Sequence, residues 1–283
     1  YGKTRFKKKN FRSHFMKKIN DLENLAKKYR REIFEKLLLL KQGHPGSIFS
    51  MMDIVVALYH GEFVRFNEKE KKFLDKVLIS KGHATAALYP ILKDFGVLPL
   101  KEWNDWGQKK SLLRVFGNTS IPGIDITSGS LGHCVGSGAG MAISYKRNNK
   151  DNNVYVIISE GELYEGSTWE ALLFAKHNDL DNLTIIIDIN SLIILGKTQD
   201  CLNLDPIKNK IEGLGIKTFE VDGHNLDELI KTFQISKKTK ELKCILAKTV
   251  KGKGASVMEN KKNWHYWNPM TEDEINKKKR ELK

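Results

Sequence analysis

Apolar side chains recur at threes and fours between Ile19 and Leu40, at Ile19, Leu22, Leu25, Ala26, Tyr29, Ile33, Phe34, Leu37, Leu38 and Leu40, with Lys, Arg and Glu filling the gaps. That period predicts an amphipathic helix. It should stop at Gly43-His44-Pro45-Gly46, because proline disfavours helical geometry in the residue before it and glycine permits a turn. A second helix is expected from about Ser50, with Asp53 to Tyr59 inside it. Farther along, the period gives way to short strand-like runs at Lys76–Ile79, Val154–Ile158, Leu183–Ile187, Lys217–Val221 and Lys243–Ala247, each entering a polar or glycine-bearing loop. Helices are predicted between them, over Ala84–Phe95 and Ser167–His177. Continuous β-branched runs with helical crossovers indicate an α/β fold, a parallel sheet with helices on both faces. No internal repeat and no Pro/Ser/Gly-rich linker divides the chain. A single domain over 17–283 is expected, closing in a Lys-rich helix at Glu272–Lys283.

Composition changes this picture only at the N-terminus. Lys and Arg number 48 against 34 Asp and Glu, a net charge of +14 that suggests an anionic partner. Eight of those basic residues lie in residues 1–20, which hold no acid, so more than half of the excess belongs to that stretch. Residues 1–16 are expected to be a basic, disordered tail without a function of its own. A targeting segment and a nucleic-acid arm are the alternatives, although the apolar core of a secretory signal is missing. No run approaches the roughly 18 apolar residues of a membrane span, so neither a membrane nor a nucleic acid is an expected partner. Cys134, Cys201 and Cys244 are odd in number and widely spaced, which suits reduced thiols in a cytoplasmic protein better than disulfides or a zinc site.

In an open parallel sheet, ligands bind beyond the carboxyl ends of the strands. Glu160 follows one strand, and Asp188-Ile189-Asn190 closes the next, a separation that suits one βαβ unit. A carboxylate, an amide oxygen and a backbone carbonyl would form an oxygen-only cluster suited to Mg²⁺ or Ca²⁺, with a diphosphate completing the shell. The plain alternative makes Glu160 an acid at a helix N-terminus and Asn190 a turn residue. Ser128-Gly129-Ser130-Leu131-Gly132, continuing into Gly136, Gly138 and Gly140, would let backbone N–H groups approach phosphate oxygens, or would serve only helix packing. It lacks the GK[ST] ending of a Walker loop. His44, His83 and His265 sit in polar or glycine-bounded loops, as phosphate or sugar ligands, as proton carriers, or as surface residues.

Taken in order, these loops resemble the N-terminal, diphosphate-binding portion of transketolase. The matching stretches are Gly43-His44-Pro45-Gly46, Ser80-Lys81-Gly82-His83-Ala84, Pro122-Gly123-Ile124-Asp125 with Ser128 to Gly132, Glu160 to Gly166, Asp188-Ile189-Asn190, Val221 to His224, Thr249 to Gly254 and Trp264-His265-Tyr266. They cover the chain from about Lys17 to Pro269. The resemblance implies the diphosphate-binding (PP) domain of a thiamine-diphosphate enzyme, with the cofactor held through Mg²⁺ or Ca²⁺. Glu160 and Asn190 match the metal positions by side chain, and Leu192 the one that ligates through its carbonyl. Gly129, Ser130 and Leu131 match the backbone that meets the cofactor, Gly161 and Glu162 fall beside its diphosphate, and His83 and His265 match histidines that approach it. His44 matches a substrate-facing histidine. Glu165 and Glu170 match interface glutamates that link the two active sites of the dimer.

A complete transketolase is much longer, and its second portion supplies the pyrimidine-binding half of the site. The resemblance therefore implies one subunit of a split transferase, moving a two-carbon ketol unit from a ketose to an aldose phosphate in an α2β2 assembly with a separate pyrimidine-domain chain. Several positions depart from the family pattern. Glu160 replaces the usual Asp, Asn118 stands about where a substrate-contacting histidine is common, His133-Cys134 replaces Gln-Gly, and Ser191 follows the metal Asn where Gly is common. These departures keep two other readings open: one component of a different thiamine-diphosphate enzyme that works on a modified sugar, and a degenerate, non-catalytic partner-binding subunit.

Overall fold

The five strand-like runs become the five strands of one parallel sheet in the computed structural model, which describes residues 3–282, with side chains from Lys18 onward. The chain runs through α1 (Lys3–Leu40), α2 (Pro45–Ser50), α3 (Met52–His60), a hairpin of β1 (Phe66–Asn67) and β2 (Lys72–Phe73), β3 (Lys76–Ile79), α4 (Tyr89–Asp94) and α5 (Leu100–Asn104). It continues with α6 (His133–Arg147), β4 (Val154–Ser159), α7 (Gly166–His177), β5 (Leu183–Ile189), α8 (Thr198–Cys201) and α9 (Ile207–Gly213). It closes with β6 (Lys217–Asp222), α10 (Leu226–Lys238), β7 (Lys243–Lys248) and α11 (Glu272–Glu281). The sheet order is β3-β4-β5-β7-β6, every neighbour parallel.

Successive side chains of a strand point to opposite faces, and here both faces are buried. Val77, Ile79, Tyr155, Ile157, Ile186, Ile245 and Ala247 join one core with α1, α3, α4 and α10. Their neighbours Leu78, Val156, Ile158, Ile185, Ile187, Cys244 and Leu246 join a second core with α6, α7 and α9. The absence of polar alternation in β4, β5 and β7 is thus the signature of a sheet covered twice.

Two local expectations are corrected. Helix α1 begins at Lys3, where a disordered tail was expected over 1–16; no Pro or Gly interrupts the chain between Lys3 and Leu40. The side chains of residues 1–17 lie outside the described residues. The helix expected over Ala84–Phe95 is two pieces, a 3₁₀ stretch at Gly82–Leu88 and α4, which places Pro90 in its first turn, where a missing N–H does no harm. Between β1 and β2, Glu68 to Lys71 form the turn of the small antiparallel hairpin.

Register fixes what meets at the carboxyl edge. Ser159 at the end of β4 pairs with Asp188 in β5, and Asp188 pairs with Ala247 in β7. The loops after β3, β4, β5 and β7 therefore open on the same side of the sheet.

Candidate active site

The loop after β4 is shaped by Ser159 and Glu162. Ser159 caps the short 3₁₀ turn Glu160–Tyr164, and Glu162 reaches back to the Ser159 N–H at 2.7 Å and its hydroxyl at 3.0 Å. The other carboxylate oxygen of Glu162 accepts from the Gly132 N–H at 3.1 Å and from the Ser80 hydroxyl. One fully buried carboxylate thus ties together the loops after β3 and β4 and the turn before α6. Gly132 has φ +80°, and a Cβ there would stand 2.6 Å from Glu165 Cβ, so only glycine completes this junction.

Beneath the same edge lies a buried polar cluster. Lys81, from the loop after β3, pairs with Asp188, which also accepts from Ser50 Oγ at 2.5 Å and from the Thr249 hydroxyl. Burial alone would raise the Asp188 carboxyl, but the Lys81 ammonium and these donors hold it below its ordinary value. Lys81 Nζ also donates to the Ser47 carbonyl at 3.2 Å.

Above this cluster the three loop histidines converge. Ring centroids are 4.9 Å apart for His44 and His83, 5.2 Å for His83 and His265, and 5.3 Å for His44 and His265. His83 Nε2 lies 3.1 Å from Ser47 Oγ. His44 Nδ1 is buried with no hydrogen-bond partner among the described residues, an arrangement that native structures rarely leave unexplained. Burial, reinforced by Lys251, lowers His44 and His265 to about 4, and burial with His44 and Lys81 beside it pushes His83 well below its ordinary value. All three imidazoles are neutral at physiological pH. Lys251 Nζ stands 3.2 Å from His265 Nδ1 and 3.4 Å from the Leu192 carbonyl, and burial beside Lys81 lowers it to about 8.

These groups form the floor of a cleft of about 340 Å³ whose walls include Gly129, Leu131, Gly161, Glu165, Asn190 and Leu192. Of the residues expected in the site, His44, His83, His265, Gly129, Leu131, Gly161, Glu165, Asn190 and Leu192 meet there. Glu160 and Glu162 lie just beneath, and Ser130 is exposed at the rim with its hydroxyl 3.2 Å from His133 Nδ1. Glu170 is exposed on α7, outside the cleft lining. Sequence reasoning singled out none of Lys81, Lys251, Tyr164 and Tyr266, although all four fall in its matched stretches, and it missed Phe116 in the walls.

The oxygen cluster sits where the strand ends meet. Glu160 Oε2 accepts from the Ser191 N–H at 2.9 Å, and Asn190 Oδ1 accepts from the Leu192 N–H at 3.2 Å. Glu160 is buried and makes no ion pair among the described residues, and its burial raises its pKa against hydrogen bonds from Thr198 and Ser191. Its other charged neighbours there, Asp205 and Asp188, are also acids. A buried carboxylate in an anionic neighbourhood beside an amide oxygen fits a hard divalent cation. Among the described residues no three His, Cys, Asp or Glu side chains group to hold a metal, so such an ion would need carbonyl and ligand oxygens as well.

The family model described as "Transketolase, thiamine diphosphate binding domain" matches residues 23–283. The chain belongs to the transketolase family. One subunit of the apulose-4-phosphate transketolase of Phocaeicola vulgatus is 32% identical over 256 residues, 90% of this chain and 91% of that protein. The 6-deoxy-6-sulfo-D-fructose transketolase subunit SqwG of a Clostridium species is 33% identical, over 85% of this chain and 89% of the relative. Human transketolase is 32% identical over 88% of this chain but only 40% of its own length. The crystal structure of Campylobacter jejuni transketolase superposes with a TM-score of 0.86 at 29% identity, covering 93% of this chain and 43% of that one. This transketolase chain thus spans nearly the whole of the apulose-4-phosphate and sulfofructose transketolase subunits and about two-fifths of the single-chain enzymes. No helix among its described residues is long and apolar enough to cross a membrane.

Proposed function

We propose that this chain is the diphosphate- and metal-binding subunit of a two-chain transketolase, active only with a separate pyrimidine-domain partner. The observation that carries the reading is the convergence of three neutral histidines over a buried Lys81–Asp188 pair, in a cleft lined by Asn190, whose neighbour Ser191 is bonded to Glu160. Glu160 and Asn190 would hold Mg²⁺ or Ca²⁺ by side chain and Leu192 by its carbonyl, while Gly129, Ser130, Leu131 and Gly161 present backbone to the diphosphate. Glu162 holds that backbone in place. When bound, thiamine diphosphate supplies the carbon that carries the two-carbon ketol unit from ketose to aldose phosphate. The protein's own contribution is binding, orientation and proton handling. Lys81 and Lys251 set a positive floor for an anionic ligand. Neutral His83 and His265 each keep one ring nitrogen for a sugar hydroxyl, the other being engaged by Ser47 Oγ and by Lys251 Nζ, and His44 Nδ1 gains the partner it lacks here.

Glu165, on the cleft wall, and Glu170, outside it on α7, are both exposed, and a second copy in an α2β2 assembly would face them. The three free cysteines suit a cytoplasmic setting. A reading on a modified sugar is favoured over ordinary pentose phosphates by the sugars for which the similar subunits are named, apulose 4-phosphate and 6-deoxy-6-sulfo-D-fructose, and by Asn118 at the histidine position. The test is to purify the chain alone and with the product of its neighbouring reading frame. Ketol transfer and magnesium-dependent thiamine diphosphate binding should appear only in the pair. Transfer by the chain alone would overturn the split-site reading, and a stable pair without magnesium-dependent binding would make it a non-catalytic subunit.

A further inference from the structure

Beside the cleft lies a second cavity of about 250 Å³, lined by Gln42, Trp106, Leu113, Arg114 and Phe116. Phe116 also lines the cleft, and its ring meets His44 edge-on with centroids 5.8 Å apart, so the two spaces adjoin across one aromatic side chain. The segment carrying Arg114 is pinned. Tyr89 Oη donates to the Arg114 carbonyl at 3.0 Å, and the Leu113 N–H donates to Ser111 Oγ at 3.1 Å. Gly117 lies so close to Thr85 that a Cβ would stand 2.3 Å from Thr85 Cγ2. The wall behind is equally fixed, since buried Trp106 packs edge-on against Tyr89 at 5.1 Å and, tilted, against Trp103 at 5.7 Å.

The Arg114 guanidinium makes no ion pair or hydrogen bond among the described residues, whereas Arg30 is committed to Asp53 and Arg65 to Asp75 and Asp151. The Gln42 amide is also uncommitted among the described residues. A planar five-donor cation on a fixed backbone, with an amide beside it and an aromatic wall, is the chemistry that recognises a terminal oxyanion. We infer that this cavity takes the anionic end group, a phosphate or a sulfonate, of the sugar whose reacting end lies against His44. The inference rests on the function proposed above and deepens it. Such an anchor on this chain would act beside whatever phosphate contacts the partner supplies.

The test uses the reconstituted pair with aldose acceptors that are phosphorylated, sulfonated or neutral at the terminal carbon. Arg114→Gln should lower kcat/KM for the anionic acceptors relative to the neutral one by about tenfold, and whichever anion responds identifies the group. Lys109→Gln, exposed on the same loop but outside the cavity, should leave that ratio unchanged. An unaltered ratio in Arg114→Gln overturns the inference, as does a uniform loss with weakened pairing of the subunits, which would assign Arg114 to the partner interface. Should the wild-type pair transfer nothing, the proposed function fails and the cavity is read directly. Inorganic phosphate titrated into the chain should then change tryptophan emission saturably in wild type and not in Arg114→Gln, and no change at millimolar phosphate overturns the inference.

Discussion

The backbone N–H of Ser191 donates to the Glu160 carboxylate at 2.9 Å, joining the turn after β5 to the turn after β4. The carboxylate spans the gap between the two strand ends and is oriented by the neighbour of Asn190.

Glu160→Gln separates geometry from charge. The amide oxygen still accepts from Ser191, so the turn is kept, while the negative charge that a divalent cation needs is gone. The expected outcome is an unchanged or slightly raised melting temperature, because a desolvated charge has been removed. Magnesium-dependent cofactor affinity should fall about tenfold or more. Calorimetric titration of the reconstituted pair with and without the ion checks it. Equal affinity in wild type and variant would show that Glu160 holds no metal.

Ser191 itself carries strain, with φ +58°, in the left-handed region that glycine tolerates and other residues enter at a cost. Ser191→Gly keeps the N–H that binds Glu160 and relaxes the backbone. It should raise stability by about 1 kcal/mol, reduced somewhat by the greater freedom of glycine in the unfolded chain. Ser191→Val, β-branched at positive φ, should move the urea midpoint the other way. Coinciding midpoints for all three proteins would mean that the turn is not held in this conformation.

The histidine cluster predicts an acid limit. His44 and His265 titrate at about 4 in the folded chain and His83 well below its ordinary value, all depressed chiefly by burial from 6.5. The unfolded chain therefore binds protons first as pH falls. The stability these groups contribute is complete above about pH 6.5 and is lost as pH drops towards about 4. Urea midpoints should fall across that window, and His44→Asn with His265→Asn should flatten the decline. An imidazole resonance from any of the three titrating above pH 6 in the isolated chain would contradict the burial that causes the shift.

Much of the fold was legible because the aliphatic runs at Val154, Leu183 and Lys243 carry no polar alternation, the mark of a twice-covered parallel sheet, whereas the edge strand at Lys217 alternates. The pairing of Glu160 with the Asn190 turn followed from one crossover. Lys81 was quoted within its stretch but not chosen, since a lysine becomes informative only when buried against Asp188, and that contact spans 107 positions. Phe116 belongs to no motif, and its place beside His44 is set by the packing of Gly117 on Thr85, a tertiary fact without a local signal. The extent of α1 was misjudged for the opposite reason, because charge density was weighed above an unbroken run of helix-compatible residues.

Glu162 gives the sharpest test of how the site is built. Its two oxygens receive two backbone N–H groups, from Gly132 and Ser159, and two serine hydroxyls, from Ser80 and Ser159. The hydroxyls can rotate to donate or accept, but the N–H groups cannot. Glu162→Gln keeps the shape and supplies one accepting oxygen and one donating nitrogen, so whichever way the amide turns, one buried N–H faces another donor. The cost should be about 1–3 kcal/mol. If the orphan is Gly132, the loop from Ser128 is released as well, and cofactor affinity should fall together with stability. A variant as stable as wild type, binding cofactor equally well, would show that these loops are held by something other than the Glu162 carboxylate.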